Sequence, residues 1–144
     1  MLDAGVPVGL GVDGAASNES GDLGEELHQA LLQARQRGGP RALTTREALW
    51  MGTMGGARCL GRERDLGSIE AGKLADLAVW DLNGLNHAGI TDPVAALVLG
   101  AIPPIERLYV GGATVVAGGS PREESEDEIA RELAVASARL RETL

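Results

Sequence analysis

Asp13 is the residue best placed for chemistry, because it ends a short apolar segment and opens a run of small and polar residues. In parallel α/β folds, catalytic groups gather where strands end, and a carboxylate there can ligate a metal ion or transfer a proton. Asp is also common in turns, where its side chain bonds to nearby backbone. The residues alone therefore leave two roles open for Asp13, a catalytic carboxylate and a local turn residue.

The two histidines and the single cysteine form no familiar catalytic motif. His28 falls in a helical pattern and His87 in a loop pattern, so we expect packing or surface roles, with a site role as the less favoured alternative for His87. Cys59 falls in a helix with no histidine nearby, which favours a buried packing thiol over a nucleophile. A catalytic zinc ion normally takes three protein ligands. We therefore expect no complete metal site in the chain.

Other candidate motifs are weaker. Gly9, Gly11 and Gly14 match no phosphate-binding pattern, and an aspartate among them would repel phosphate. Ser17 lacks the G-x-S-x-G context of a serine hydrolase. Trp50 and Trp80 lie in helical and strand patterns, so we expect them to pack in the core.

Composition excludes several classes of protein. The chain has 144 residues, a formal net charge of −8 and one cysteine. An acidic chain without a basic run is unsuited to nucleic acid or anionic membranes, and no apolar stretch approaches the roughly 20 residues of a membrane span. No secretion signal is evident, so we expect a cytoplasmic protein. A complete eight-stranded α/β barrel needs about 250 residues and does not fit.

The first part of the chain predicts a strand, a loop and two helices. Alternating apolar residues predict a strand over Val6–Asp13, and helical spacing predicts a helix from Leu23 until Gly38-Gly39-Pro40. A capping box at Thr44 and Glu47 starts a second helix that ends near Gly61. The glycines inside this second helix disfavour it by propensity, so we expect them to mark close packing against a neighbouring element.

The second part predicts a small β-rich domain. A turn-rich segment from Leu66 to Lys73 leads into a strand at Leu77–Trp80, and a glycine turn joins a later hairpin. A short helical run, Val94 to Leu99, lies between them. After Pro121, acidic and then basic residues flank an apolar repeat, which predicts an amphipathic terminal helix.

Several segments together match a known pattern. They are residues 8–18 (VGLGVDGAASN), 44–61 (TTREALWMGTMGGARCLG), 66–82 (LGSIEAGKLADLAVWDL), 92–100 (DPVAALVLG) and 108–118 (LYVGGATVVAG). In this order they resemble the amidohydrolase superfamily, in its branch of metal-dependent aminohydrolases and chlorohydrolases. Within this branch the chain most resembles 8-oxoguanine deaminases and triazine hydrolases.

The resemblance implies an α/β fold made of the C-terminal part of a TIM-like (β/α)8 barrel, part of a small β-sandwich and a C-terminal helix. It implies domains at 1–63 (barrel end), 64–119 (sandwich) and 120–144 (helix). A parent protein would hold one Zn²⁺ or Fe²⁺ ion, and Asp13 would be both a metal ligand and the general base. The implied substrate is a small amino-substituted purine, pyrimidine or triazine ring, and a homo-oligomer is possible.

Ser17 and Asn18 also follow the aspartate in the family pattern. They either orient the loop or cap the next helix, and capping is favoured because Ser and Asn are preferred caps. Asn18 is also a candidate substrate-binding residue. The histidine ligands of the family are missing from this sequence, so we expect the chain alone to be inactive. The alternative is a non-catalytic binding or assembly module derived from an amidohydrolase.

Overall fold

The computed structural model describes residues 1–123 and 125–142, except for the side chain of Asp3. The chain divides into two compact units, Met1–Leu74 with Asp81–Pro103 and Ala75–Trp80 with Pro104–Leu144. In chain order the helices and strands are α1 (Leu23–Gly38), α2 (Thr45–Trp50), a π-helical segment (Met51–Gly55), α3 (Gly56–Cys59), β1 (Leu77–Trp80), α4 (Pro93–Leu99), β2 (Ile105–Val110), β3 (Ala113–Ala117), β4 (Ser120–Pro121) and α5 (Glu126–Glu142). Short 3-10 turns lie at Leu2–Ala4 and Leu85–His87.

The predicted helix after Thr44 is confirmed, and its capping box is complete. The hydroxyl of Thr44 accepts a bond from the backbone N–H of Glu47 (3.2 Å), and the backbone N–H of Thr44 donates to the Glu47 carboxylate (2.7 Å). The helical path runs unbroken through α2, the π-helical segment and α3. A left-handed Gly61 (φ 66°) follows its last turn. The π-helical segment has no signal in the sequence.

The core of the first unit is built by α1, α2 and α4, which pack against one another. Its buried residues are Leu27, Leu31, Leu43, Ala48, Met51 and Val98. Two of these lie a helical turn apart on α1, as the sequence pattern predicts. The predicted helix of residues 94–99 is also confirmed, and it starts one residue earlier at Pro93, with Asp92 as its N-cap.

The predicted strand over Val6–Asp13 is wrong for the described residues, since this segment joins no sheet. Instead, Val8 and Leu10 pack against the core of the first unit, and the backbone N–H of Leu10 donates to the carbonyl of Met51 (3.3 Å). Strand pairing needs a neighbouring strand, and here the segment lies on a helix. The alternation of apolar residues here marks the half-buried face of Val8 and Leu10, which a helix covers.

The expected close packing at the helix glycines is confirmed. A Cβ on Gly55 would overlap the carbonyl oxygen of Val8, and a Cβ on Gly9 would come within 2.8 Å of the Cα of Gly56. A Cβ on Gly52 would come within 2.7 Å of the Leu27 side chain. The glycines therefore let two backbones approach to a distance that a side chain would prevent.

Lys73 fixes the turn-rich segment that follows α3. Its ammonium donates to the carbonyls of Glu63 (2.7 Å) and Leu66 (3.1 Å) and to the hydroxyl of Ser68 (2.6 Å). Its side chain is only 9% exposed, and Glu70 lies 3.5 Å away as a counter-ion. The hydroxyl of Ser68 and then the charge of Lys73 lower the pKa of Glu70. Lys73 thus joins three points of a segment that belongs to no helix or strand.

The second unit contains a four-stranded antiparallel sheet in the order β1-β2-β3-β4. The predicted strand and hairpin are confirmed, with Gly111 and Gly112 both left-handed in the turn. The Asp76 carboxylate accepts a bond from the Gly111 N–H (2.7 Å) and ties the turn to the residues before β1. The terminal helix α5 is also confirmed, but none of its described residues is buried. Among the described residues, no helix is long and apolar enough to cross a membrane.

The helix glycines give the first test. Gly55→Ala places a methyl group against the carbonyl of Val8 and 3.2 Å from the ring of Trp50. We expect the free energy of unfolding to fall by about 2 kcal/mol, as overpacking usually costs. Urea unfolding would measure it. Gly11→Ala is the control, because a Cβ there has open space, and its stability should be unchanged or slightly higher. Equal stability of the two variants would contradict the packing argument.

The capping box predicts a pH dependence. Bonds from the hydroxyl and then the backbone N–H of Thr44 lower the pKa of Glu47 below its usual 4.5. A lowered pKa stabilises the fold above about pH 4.5, and this stabilisation is lost as the pH falls through the pKa of the folded state. Glu47→Gln should therefore be less stable than the wild type at pH 7 and equal to it near pH 3. Thr44→Ala should cost about 1 kcal/mol at pH 7.

The control for the capping box is Glu63→Gln, which changes an exposed glutamate outside any helix start. Its stability relative to the wild type should not vary between pH 3 and pH 7. If the Glu47→Gln difference persists at pH 3, the hydrogen bonds of the box do not cause it.

Candidate functional site

Asp13 has an unusual backbone conformation. Its φ is +64°, and among the described residues it is the only non-glycine residue with a positive φ. Its Oδ1 accepts a short hydrogen bond from the backbone N–H of Gly14 (2.7 Å), and the residue is exposed. Aspartate tolerates the left-handed region better than most residues, but it still bears a conformational cost there. Such strain often accompanies a functional position, because the surrounding structure has to impose it.

The chain before Asp13 is fixed by the helix beneath it. The bond from Leu10 to Met51 lies three residues upstream, and the contact between Gly9 and Gly56 lies one residue further. The Asp13 carboxylate thus extends from a short exposed connection whose start is bound to a rigid element.

The loop after Asp13 is fixed by Asn18. Its side-chain Nδ2 donates to the carboxylate of Glu26 on α1 (3.0 Å), and its Oδ1 accepts a bond from the backbone N–H of Ser20 (3.2 Å). The prediction that Ser17 or Asn18 caps the helix is therefore wrong. The cap is Asp22, whose Oδ1 accepts a bond from the N–H of Gly24 (2.7 Å). Asn18 instead joins the loop to the first helix.

Sequence reasoning missed Glu26 and Asp22. Asp22 stands directly before the first apolar residue of the helix, which is the usual place of a cap and was a usable signal. Glu26 lies one turn into α1, and its acidic type there is equally explained by the helix dipole. Its role as the partner of Asn18 depends on how the loop folds back, so no local pattern could reveal it.

The remaining candidates from the sequence are His87, His28, Cys59 and Trp50. His87 is buried, and its Nε2 lies 2.7 Å from the carbonyl oxygen of Ala101, which fits the expected packing role. His28 is half-buried on α1. Cys59 is exposed, so the expectation of a buried thiol is wrong. It is the last residue of α3. Trp50 packs against the core, with the Arg58 guanidinium 5.3 Å from its ring.

The described residues do not fit a metal centre by themselves. Within residues 1–123 and 125–142, no group of three or more His, Cys, Asp or Glu side chains could hold an ion. Asp13 offers a single carboxylate, which is one ligand of the several that a catalytic zinc ion needs. An exposed carboxylate such as that of Asp13 is able to accept a proton.

The comparison with protein families identifies the class. Residues 1–118 match the model of the amidohydrolase family, so the chain belongs to that family. This match covers the Asp13 loop, the π-helical segment and the hairpin. It confirms the resemblance carried by the sequence motifs.

Individual relatives agree with this class. The chain is 45% identical over 136 residues to an 8-oxoguanine deaminase of Pseudomonas aeruginosa, covering 94% of this chain and 30% of the relative. It superposes on a zinc-bound adenosine deaminase from Xanthomonas campestris with a TM-score of 0.91 and 26% identity, covering 97% of this chain and 32% of the other.

A second solved structure has a similar fold. The zinc complex of an atrazine chlorohydrolase from Arthrobacter aurescens matches with a TM-score of 0.86 and 36% identity, covering 93% of this chain and 30% of the other. The chain thus spans about a third of the length of the proteins it matches. The fold of this third is shared over 93 to 97% of the chain.

The left-handed backbone at Asp13 gives a test of strain. Asp13→Gly and Asp13→Ala both lose the bond to Gly14, but only Asp13→Gly removes the conformational cost. We expect the free energy of unfolding of Asp13→Gly to exceed that of Asp13→Ala by about 1 kcal/mol. Ser17, exposed in the same loop with no positive φ, gives the control. At position 17, Ser17→Ala should be more stable than Ser17→Gly. If the glycine variant is the more stable one at both positions, strain at Asp13 is not the cause.

Proposed function

We propose that this chain forms the C-terminal part of a metal-dependent hydrolase of carbon–nitrogen bonds other than peptide bonds, with Asp13 as its proton-transferring carboxylate. The observation that carries this proposal is the exposed, left-handed Asp13 held at the end of a fixed segment. Membership of the amidohydrolase family and relatives named as deaminases support it. Residues 1–63 would be the end of the barrel, 64–119 part of the sandwich and 120–144 the terminal helix.

Asp13 would act as a general base. The bond from Gly14 takes one lone pair of Oδ1. Oδ2 would accept a proton from the attacking water, and the second lone pair of Oδ1 would remain for a metal ion. The resulting hydroxide adds to the ring carbon that bears the amino group. The carboxyl group then returns its proton to the departing nitrogen, so that ammonia leaves and a hydroxyl group remains on the ring carbon. Transfer of the hydroxyl proton to the adjacent ring nitrogen gives the ring carbonyl. A fixed carboxylate favours both transfers, because no loop motion is needed between them.

The proposed cofactor is one zinc or ferrous ion in the intact enzyme, and zinc is bound in two of the matched structures. Asp13 would provide a single oxygen ligand. Since the described residues provide no complete donor set, the other ligands must come from protein outside these residues. We therefore propose that the chain on its own has no turnover.

The proposed substrate is a small heterocycle with an exocyclic amino group, such as a purine, pyrimidine or triazine. In TIM-like barrels, the loops after several strands set the specificity. Among the described loops, the one that carries Asp13 is joined to α1 through Asn18 and Glu26. Asn18 is half-buried and already has two partners, so we propose that it orients this loop, with a direct substrate contact as the lesser role.

A chimera tests the proposal. This chain would replace the aligned C-terminal third of the Pseudomonas aeruginosa 8-oxoguanine deaminase, and release of ammonia from 8-oxoguanine would be measured. We expect a zinc-bound, active chimera, because the two sequences are 45% identical there. Asp13→Asn keeps the size of the side chain but removes the base, and it should lower kcat by a factor on the order of 100 to 10,000.

The matched control is Asp65→Asn, which changes an exposed aspartate on a turn and should leave kcat unchanged. The isolated chain is the negative control. A folded, zinc-bound chimera without activity would contradict the proposal and favour a non-catalytic binding or assembly module. Turnover by the isolated chain would contradict the requirement for further ligands.

A further inference from the structure

One asparagine of the chain is directly followed by a glycine, at Asn83 and Gly84. The other two asparagines, Asn18 and Asn86, precede a glutamate and a histidine. The backbone nitrogen that follows an asparagine can attack the carbonyl carbon of its side chain, and glycine has no side chain to obstruct this attack. The pair of residues therefore brings a nucleophile beside an electrophile, and the only other reactant that the chemistry needs is water.

The surroundings of Gly84 leave its backbone nitrogen open to this reaction. Asn83 and Gly84 are both exposed and belong to no helix or strand. Gly84 has a φ of −67° and a ψ of 163°, and within the described part of the chain its N–H donates to no acceptor. No hydrogen bond of this nitrogen therefore has to break before it approaches the Asn83 side chain.

The side chain of Asn83 is bound to the neighbouring Asp81. Oδ1 of Asp81 accepts one bond from the backbone N–H of Asn83 (2.9 Å) and another from its side-chain Nδ2 (2.7 Å). Both bonds are exposed, so water competes for them and their net contribution to stability is small. They involve the two nitrogens of Asn83, so they leave its side-chain carbonyl carbon open to attack.

We propose that Asn83 is a site of spontaneous deamidation in this chain, and that the product loosens the turn that holds His87. In the first step, the Gly84 nitrogen loses its proton and bonds to Cγ of Asn83, while the side-chain nitrogen takes up a proton and leaves as ammonia. This step closes a succinimide ring. Water then opens the ring at either carbonyl carbon, which gives aspartate in one case and isoaspartate in the other.

Either product loses the bond from Nδ2 of Asn83 to Asp81. A carboxylate replaces the amide, has no proton to donate and repels the carboxylate of Asp81. In isoaspartate the main chain also passes through Cβ and Cγ of residue 83. The main chain is then longer by one atom directly before Gly84.

Gly84 precedes the 3-10 turn that holds His87. The Gly84 carbonyl accepts a bond from the His87 N–H (3.0 Å). His87 is only 6% exposed, and its Nε2 lies 2.7 Å from the carbonyl oxygen of Ala101. A Cβ on Gly100 would come within 3.1 Å of the His87 ring, so the ring has little room to shift. A longer main chain before Gly84 therefore disturbs a packed histidine, and isoaspartate should destabilise the chain more than aspartate.

Incubation of the purified chain at mildly alkaline pH, followed by tryptic digestion and mass spectrometry, tests the site. The peptide of residues 74–107 should gain about 1 Da at Asn83, where a hydroxyl group replaces an amide NH2. Asn86 in the same peptide and Asn18 in the peptide of residues 1–35 are internal controls, and both should stay unmodified over the same period.

Gly84→Ala is the matched variant for the attacking nitrogen. Its φ suits alanine, and a Cβ there meets no atom within 4 Å, so the fold should be retained. The added methyl group obstructs the attack, and deamidation of Asn83 should slow by about a factor of ten. Circular dichroism of the fresh variant should match that of the fresh wild type.

Asn83→Asp separates the two effects of the product. This variant loses the side-chain donor but does not lengthen the main chain, so its urea midpoint should lie only slightly below that of the fresh wild type. The isoaspartate form, separated from the incubated wild type by chromatography, should unfold at a lower urea concentration than Asn83→Asp.

Three outcomes would overturn the proposal. Asn83 that keeps its mass, or that changes no faster than Asn86, is not a deamidation site. Deamidation that Gly84→Ala does not slow excludes attack by the Gly84 nitrogen, and an isoaspartate form as stable as Asn83→Asp excludes the effect on His87. None of these results bears on Asp13 or on the hydrolase activity proposed above.

Discussion

The close approach of residues 8–10 to the glycine-rich helix is the constraint on which the position of Asp13 depends. The Met51 carbonyl accepts a π-helical bond from the N–H of Gly56 and a second bond from the N–H of Leu10. The bond from Leu10 brings the two backbones to a distance at which a side chain on Gly55 could not fit. The π-helical segment and the glycines are therefore one feature. It costs helix propensity, and it gains a rigid support for the segment that leads to Asp13.

The loop that carries Asp13 is fixed at both ends, which explains how it can hold a strained residue. Leu10 is bound to the helix before it, and Asn18 is bound to Glu26 after it. A short loop between two fixed points has few conformations, so the left-handed backbone at Asp13 is imposed by its surroundings. A carboxylate placed in this way is oriented by its own chain. For the general base proposed above, such preorganisation would favour proton transfer.

The sequence predicted elements that have local causes and failed where the cause is tertiary. The capping box at Thr44 and the Gly111-Gly112 turn involve residues within a few positions of each other, so their patterns were sufficient. The role of Asn18 depends on a contact with α1, and the absence of a strand at residues 6–13 depends on which element covers them. The exposure of Cys59 likewise depends on how the chain packs around the end of α3. Local spacing contains none of this information.

The candidate site also depends on residues that are not close to Asp13 in the sequence. Barrel enzymes assemble their ligands from the ends of several strands, so a chain that spans a third of such a protein can contain only part of the set. Spacing alone therefore left Asp13 between a catalytic and a local role. The backbone geometry distinguishes the two only in part, because the bond from Gly14 fits a turn residue as well as a held carboxylate. The family match over residues 1–118 supplies the context that the missing ligands would have given, and under the proposed function Asp13 is the residue on which the activity of this segment would depend.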